Sequence, residues 1–172
     1  TQRDGYVKMM TADGRARAAL EATGQVFNQA GLTCAITADT LVAIWEKLAF
    51  NAAMNSMCAV LRYPVGALAD AVEGRELVFQ IMDEIVGVAR RKNIAVERDR
   101  VVATLEMAFT KHRDHMPSML QDVHHRRRTE IDFINGGAIR EGRALGMSLP
   151  ANETVYRLVK TLEKAYLAGA DA

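Results

Sequence analysis

Lys47, Asn51 and Asn55 are spaced by four within the run Trp45-Glu46-Lys47-Leu48-Ala49-Phe50-Asn51-Ala52-Ala53-Met54-Asn55. On a helix they form one stripe that drifts by about 40° per step. The neighbours Leu48, Ala49, Ala52 and Ala53 are small or apolar. Asparagine is a mediocre helix former, so two of them in an otherwise apolar helix need a reason. An ammonium followed by two amides can bind a carboxylate, carbonyl or hydroxyl group of a small polar ligand. The plainer reading leaves Lys47 in solvent and has the asparagines bridge helices. A second segment, Ser118-Met119-Leu120-Gln121-Asp122, follows Pro117. Pro117-Ser118 can open a helix whose free backbone N–H groups and hydroxyl face an anion. A third segment is Thr129-Glu130-Ile131-Asp132-Phe133-Ile134-Asn135-Gly136, in which Thr129 and Asp132 form a weak capping box. Two well-capped helices would explain the second and third segments without a ligand.

Other chemistries have less support. His112, His115, His124 and His125 lack an H-E-x-x-H arrangement or a carboxylate triad, so surface histidines are expected and no metal site. Arg126-Arg127-Arg128 can touch cofactor phosphates, although a solvated helix edge is the simpler account. Asp83, Glu84, Glu97 and Asp99 show no paired acid–base setting and read as surface charges. Met54, Met57 and Met82 suit core filling. Cys34 and Cys58 sit in apolar patterns, as buried free thiols do, and support neither zinc spacing nor a disulfide framework.

The elements that must position these groups are mostly helical. The chain has 172 residues, 49% apolar and 25% charged, the size of about one domain. With 22 basic and 21 acidic residues the formal net charge is +1, which gives no global attraction for nucleic acid or an anionic membrane. No secretory leader opens it and no apolar run approaches ~18 residues, so a cytoplasmic setting without a membrane partner is expected. Gly5 to Met10 and Leu32 to Thr37 read as short strands around a helix from Ala12 to Ala30, closed by Gly31. Two strands make a poor sheet alone and look like the tail of an α/β unit. From Asp39 the pattern is helical throughout. Asp39 or Thr40 caps a helix to about Leu61, and Pro64-Val65-Gly66 breaks it. Helices follow from Glu73 to Lys92, Glu97 to Lys111 and Met119 to Arg127. Another runs from Thr129 to Leu145, weakened or broken at Gly136-Gly137, and Asn152 caps the last, to about Leu167.

Taken together, Trp45-x-Lys47-Leu48-x-x-Asn51-x-x-x-Asn55, Ser118-Met119-Leu120-Gln121-Asp122 and Arg128-Thr129-Glu130-Ile131-Asp132-x-x-Asn135-Gly136 resemble the ketopantoate reductases. Gly146-x-x-x-Pro150-x-Asn152 agrees with that family's turn into its last helix. The resemblance covers roughly residues 36 to 165. It implies a mainly α fold: residues 39–172 as a helical substrate domain of the 6-phosphogluconate dehydrogenase C-terminal-like type, after residues 1–38 as the end of a Rossmann domain. It also implies NADPH-dependent reduction of 2-dehydropantoate to (R)-pantoate, toward coenzyme A. Lys47 would be the general acid, with burial near Trp45 easing proton release. Asn51 and Asn55 would be substrate-binding amides. Ser118, Met119, Leu120 and Gln121 would form the segment that holds the substrate carboxylate end. Glu130 would close the site near the substrate hydroxyl and the cofactor, kept ionised by a helix's first turn.

The chain departs from the family twice. It contains no G-x-G-x-x-G turn, so by itself, without its Rossmann domain, it is expected to be inactive. Val65 stands where some relatives place an asparagine against the substrate, which points to another branched 2-oxo acid as the alternative. An apolar face toward the absent domain, and with it homodimerisation, is also expected. A non-catalytic helical dimerisation module is the remaining reading, against which the polar set Lys47, Asn51, Asn55, Ser118 and Glu130 argues.

Overall fold

The computed structural model describes residues 6–11 and 13–168, so Gly5 and Ala12 of the expected first strand and helix lie outside the described residues. The chain divides between Ile44 and Trp45 into two compact units.

In the first unit, β1 (Tyr6–Met9) and β2 (Thr33–Ile36) pair in parallel with Tyr6 opposite Thr33, joined through α1 (Ala18–Gln29). This is the α/β arrangement that the pattern suggested. The helix starts at Ala18 because the preceding turn has its own bonds: Arg15 N–H donates to Asp13 Oδ1 at 3.2 Å, and Arg17 pairs with Asp13. Such local side-chain bonds compete with helix formation. Gly31 takes a left-handed φ of 81° after α1, and Leu32 N–H then reaches the Phe27 carbonyl. The next helix, α2 (Asp39–Leu61), is capped from outside: Thr37 Oγ1 accepts from Asp39 N–H, a task expected of Asp39 or Thr40.

In the second unit, α2 from Trp45 onward is followed by α3 (Val65–Asp70), α4 (Val72–Arg91), α5 (Arg98–Lys111), α6 (Ser118–His124), α7 (Asn135–Ala144) and α8 (Pro150–Leu167). Every residue of α2 from Ala52 to Ala59 is buried, as in a helix enclosed by its neighbours. Helix α4 packs against α3, α5, α7 and α8 through Val78, Ile81, Met82, Ile85 and Val88, the apolar positions its periodicity indicates. Where a break was expected, Pro64 instead precedes the short helix α3. Gly66 is needed there by close approach, since a Cβ would lie 2.9 Å from Arg113 Cβ and 3.0 Å from its carbonyl oxygen. Among the described residues no helix is long and apolar enough to cross a membrane.

The start of α8 departs from expectation in an informative way. Asn152 does not cap it; Leu149 occupies that position, with Pro150 as the first helical residue. The cap comes from α4, where Glu84 accepts from the N–H groups of Ala151 (2.9 Å) and Asn152 (3.0 Å). Glu84 is therefore half-buried structural machinery, not the surface charge expected. The fully buried Asn152 donates to Glu84 Oε2 (2.8 Å) and to the Ile81 carbonyl (3.0 Å). Its own Oδ1 accepts from Asn135 Nδ2, which also donates to the Ala52 carbonyl. One polar chain thus ties α4, α8, α7 and α2.

Thr129 to Ile134 was expected to be helical; it is a series of turns, and α7 begins only at Asn135, before the Gly136-Gly137 pair. Two carboxylate clamps draw this segment onto α8. Glu163 Oε1 accepts from both the N–H and the hydroxyl of Thr129 at 2.7 Å. Lys160 Nζ bridges Glu163 Oε2 and Asp132 Oδ2, each at 2.8 Å, and Tyr156 donates its hydroxyl to Asp132 Oδ1. Thr129 and Asp132, expected to form a capping box, both turn to α8. The bond from Lys160 holds the Asp132 carboxyl below the usual carboxylate range. Burial pulls Glu163 the other way, but the bonds from Lys160 and Thr129 together keep it low as well.

Two outcomes are expected. Asn152→Ala strands the Ile81 carbonyl and Asn135 in the core, and should cost about 2–4 kcal/mol of unfolding free energy in urea titrations. The clamp should also make stability depend on acid. Folded-state carboxyl pKa values lowered below the unfolded ones contribute stability that is complete above about pH 4.5 and fades as pH falls through the lowered values. Lys160→Met should flatten that acid decline, measured as unfolding free energy in urea titrations at pH values on either side of about 4.5.

Candidate active site

Helix α2 carries the stripe inward. Lys47 is exposed, Asn51 half-buried, and Asn55 only 7% exposed. Trp45 is buried, but the burial expected for Lys47 beside it is absent. At 1.5 Å per residue, Lys47 and Asn55 stand about 12 Å apart along the axis. Asn55 lines a cavity of about 350 Å³ whose other walls include Phe50, Met54, Val65, Ala108 and Pro117, with His112 and His115 at its exposed edge. Among the described residues nothing hydrogen bonds to the Asn55 side chain. A nearly buried amide left open in an apolar cavity suits a ligand oxygen.

Ser118 follows Pro117, is the first residue of α6, and is exposed. Met119 and Leu120 are buried, Met119 in a cluster with Ala59, Val123, Ile131 and Val159. Their side chains serve the core, so only their backbone N–H groups can meet a ligand. Gln121 spends its amide on the Met116 carbonyl at 2.8 Å, fixing the entry into α6. Glu130 is exposed and lies in the turns before α7, so the expected support of a helix's first turn is missing. Its neighbour Ile131 packs in the same cluster as Met119 and as Ala59, one turn along α2 from Asn55. The core thus brings the segments that bear Asn55, Ser118 and Glu130 together.

The five polar side chains Lys47, Asn51, Asn55, Ser118 and Glu130 share a property. None makes a side-chain hydrogen bond or ion pair among the described residues, whereas nearby Gln121, Thr129, Asp132 and Asn135 are all engaged. Sequence reasoning missed the roles of Phe50 and Ala108 as cavity walls and of His112 and His115 at the edge; the Pro64-Val65-Gly66 turn was the one signal for that region. Cys58, on the same helix, is no nucleophile, because burial pushes its thiol up to about 12. No group of three metal-ligating side chains is found among the described residues.

A family model for the C-terminal domain of ketopantoate reductase PanE/ApbA matches residues 39–163. The 2-dehydropantoate 2-reductase of Vibrio cholerae serotype O1 is 35% identical over 141 residues, which cover 82% of this chain and 47% of that protein. The solved PanE/ApbA family ketopantoate reductase of Ralstonia eutropha JMP134 matches with a TM-score of 0.79 at 28% identity, over 96% of this chain and 54% of that one. A D-mandelate dehydrogenase solved with NADH matches with a TM-score of 0.83 at 26% identity, over 92% and 54%. The chain spans about half the length of the curated relatives it matches. It belongs to the ketopantoate reductase family, and residues 39–163 are that family's C-terminal helical domain.

Proposed function

We propose that residues 39–172 are the substrate-binding domain, and residues 1–38 the end of the dinucleotide-binding domain, of a cytoplasmic NADPH-dependent reductase that converts 2-dehydropantoate to (R)-pantoate, a step of pantothenate and coenzyme A biosynthesis. The observation that carries this reading is the set of five uncommitted polar side chains, above all the buried and unpartnered Asn55.

Reducing a ketone to an alcohol requires that the carbonyl oxygen be polarised and then protonated. Lys47 can do both from one ammonium. Asn51 and Asn55 donate to substrate oxygens along the same helix face, and the Ser118 hydroxyl with the start of α6 receives the carboxylate. NADPH supplies the hydride when bound. Of the groups such a cofactor needs, this chain fits part: Glu130 is an exposed carboxylate suited to a ribose hydroxyl or amide. A phosphate-cradling G-x-G-x-x-G is not in its sequence, so the chain alone should not reduce substrate. Phe133, in the same turn as Glu130, is 79% exposed, and a homodimer that covered it would bury that ring.

A second reading, reduction of another branched 2-oxo acid, is favoured by Val65. It is 1% exposed and lines the cavity beside Asn55 with methyl groups, where an asparagine would add a polar contact. The similarity to a D-mandelate dehydrogenase supports the same reading.

The test is NADPH oxidation by the full-length protein with 2-dehydropantoate, beside a Lys47→Ala variant. The variant should lose on the order of 10²- to 10⁴-fold in kcat. Turnover absent with 2-dehydropantoate but present with other 2-oxo acids would favour the second reading. Turnover unchanged by Lys47→Ala would remove Lys47 as the acid. An absence of NADPH binding would favour a non-catalytic dimerisation module.

A further inference from the structure

Glu130 carries no hydrogen bond of its own side chain among the described residues, yet the residues on either side of it are held by several bonds. Thr129, immediately before it, gives both its backbone N–H and its hydroxyl to one oxygen of Glu163. Asp132, two residues after it, is held by Lys160 and Tyr156, and its backbone carbonyl accepts from Arg140. Ile131 between them is fully buried. The turn is therefore anchored at 129, 131 and 132, and the side chain at 130 is left pointing to solvent. Glu163 is 2% exposed and Lys160 is its only cationic partner among the described residues. A buried carboxylate without its cation would be costly, so neither half of the pair stands alone.

We propose that Lys160 and Glu163 of α8, with Asp132, are positioning residues that aim Glu130 at the substrate and cofactor. This rests on the reading of Glu130 as a site residue. One ammonium joins the two carboxylates on either side of Glu130, so its loss removes a bond from Asp132 and leaves Glu163, which holds Thr129, without its cation. The lowered pKa values of Asp132 and Glu163 agree with both being ionised and gripped in the folded protein. A carboxylate misplaced by about 1 Å costs up to roughly 10²-fold in rate, so a modest loosening has a measurable effect.

The experiment is a double-mutant cycle on the full-length enzyme, reading kcat/KM for 2-oxo acid reduction and checking folding by circular dichroism. Glu130→Gln, Lys160→Met and the two combined are compared. Lys160→Met alone should lower kcat/KM by roughly 10- to 100-fold. In the Glu130→Gln background it should have almost no further effect, because its action passes through that side chain. Lys160→Arg, which keeps a bridging cation, should recover most of the loss. Asp132→Asn serves as the second variant should Lys160→Met fail to fold: it keeps an acceptor for Tyr156 but breaks the ion pair, and its effect should likewise vanish in the Glu130→Gln background. Equal losses in both backgrounds would make the clamp merely structural and overturn the proposal. A harmless Lys160→Met beside a damaging Glu130→Gln would overturn it too, while leaving Glu130 in the site. A harmless Glu130→Gln would instead remove Glu130 from the site, and the proposal with it.

Discussion

Much of the helical unit depends on the polar chain Glu84–Asn152–Asn135–Ala52, bonded together away from water. Helix α8 begins at Pro150 and enters the core at once with Ala151 and Asn152, and a helix start leaves backbone N–H groups that need partners. At α8 a side chain supplies them, whereas the first N–H groups of α7 reach the backbone carbonyls of Ile131 and Ile134. Glu84 serves α8 from a neighbouring helix, and Asn152 and Asn135 pass the bonding on to carbonyls of α4 and α2. An apolar core of this size tolerates many exchanges of similar volume. A polar chain does not, since each member leaves its partner stranded when removed. It therefore sets the register of four helices more sharply than the apolar contacts around it.

Helix α8 links that chain to the candidate site. Its first turn holds Asn152 in the core, and its later turns present Tyr156, Lys160 and Glu163 to the segment that bears Glu130. These anchors are on one rigid element, so the position of the turn at residues 129–134 follows from where Asn152 is fixed. The apolar cluster of Ala59, Met119, Ile131 and Val159 brings α2 and α6 into the same frame. A polar register and an apolar cluster thus fix the same segments by different physical means.

The helices were legible in the sequence where they are long and periodic. The apolar positions of α4 follow from a repeat that local composition alone sets, and the limits of α2 from the polar residues at its start and the proline after it. Errors fell where a distant residue decides the local outcome. Thr129 and Asp132 have the spacing of a capping box, but Glu163 and Lys160, about thirty residues away, take both side chains. Asn152 looks like a cap by its place after Pro150, yet Glu84 does that work and frees Asn152 to enter the core. The α3 helix was hidden because Pro64 and Gly66 read as a break, while the glycine is there for the approach of Arg113. At the site, residue types were readable in advance, but which of them would be buried was not, as the exposed Lys47 and the buried Met119 illustrate.

The candidate site residues are those that folding leaves unused. A polar side chain in or near a core is normally bonded, because desolvation without a partner costs about 1–3 kcal/mol. Around this site Gln121, Thr129, Asp132 and Asn152 close bonds within the protein, and Asn135 does so through its Nδ2 while its buried Oδ1 has no partner. Asn55 makes no side-chain bond among the described residues, and its amide opens on an apolar cavity. For exposed Lys47, Ser118 and Glu130, solvent can supply the partner, so their freedom alone carries less weight. Their meaning comes from Asn55, whose nearly buried amide is left to the cavity. An amide left open to a cavity is what a substrate oxygen would complete in the proposed reductase.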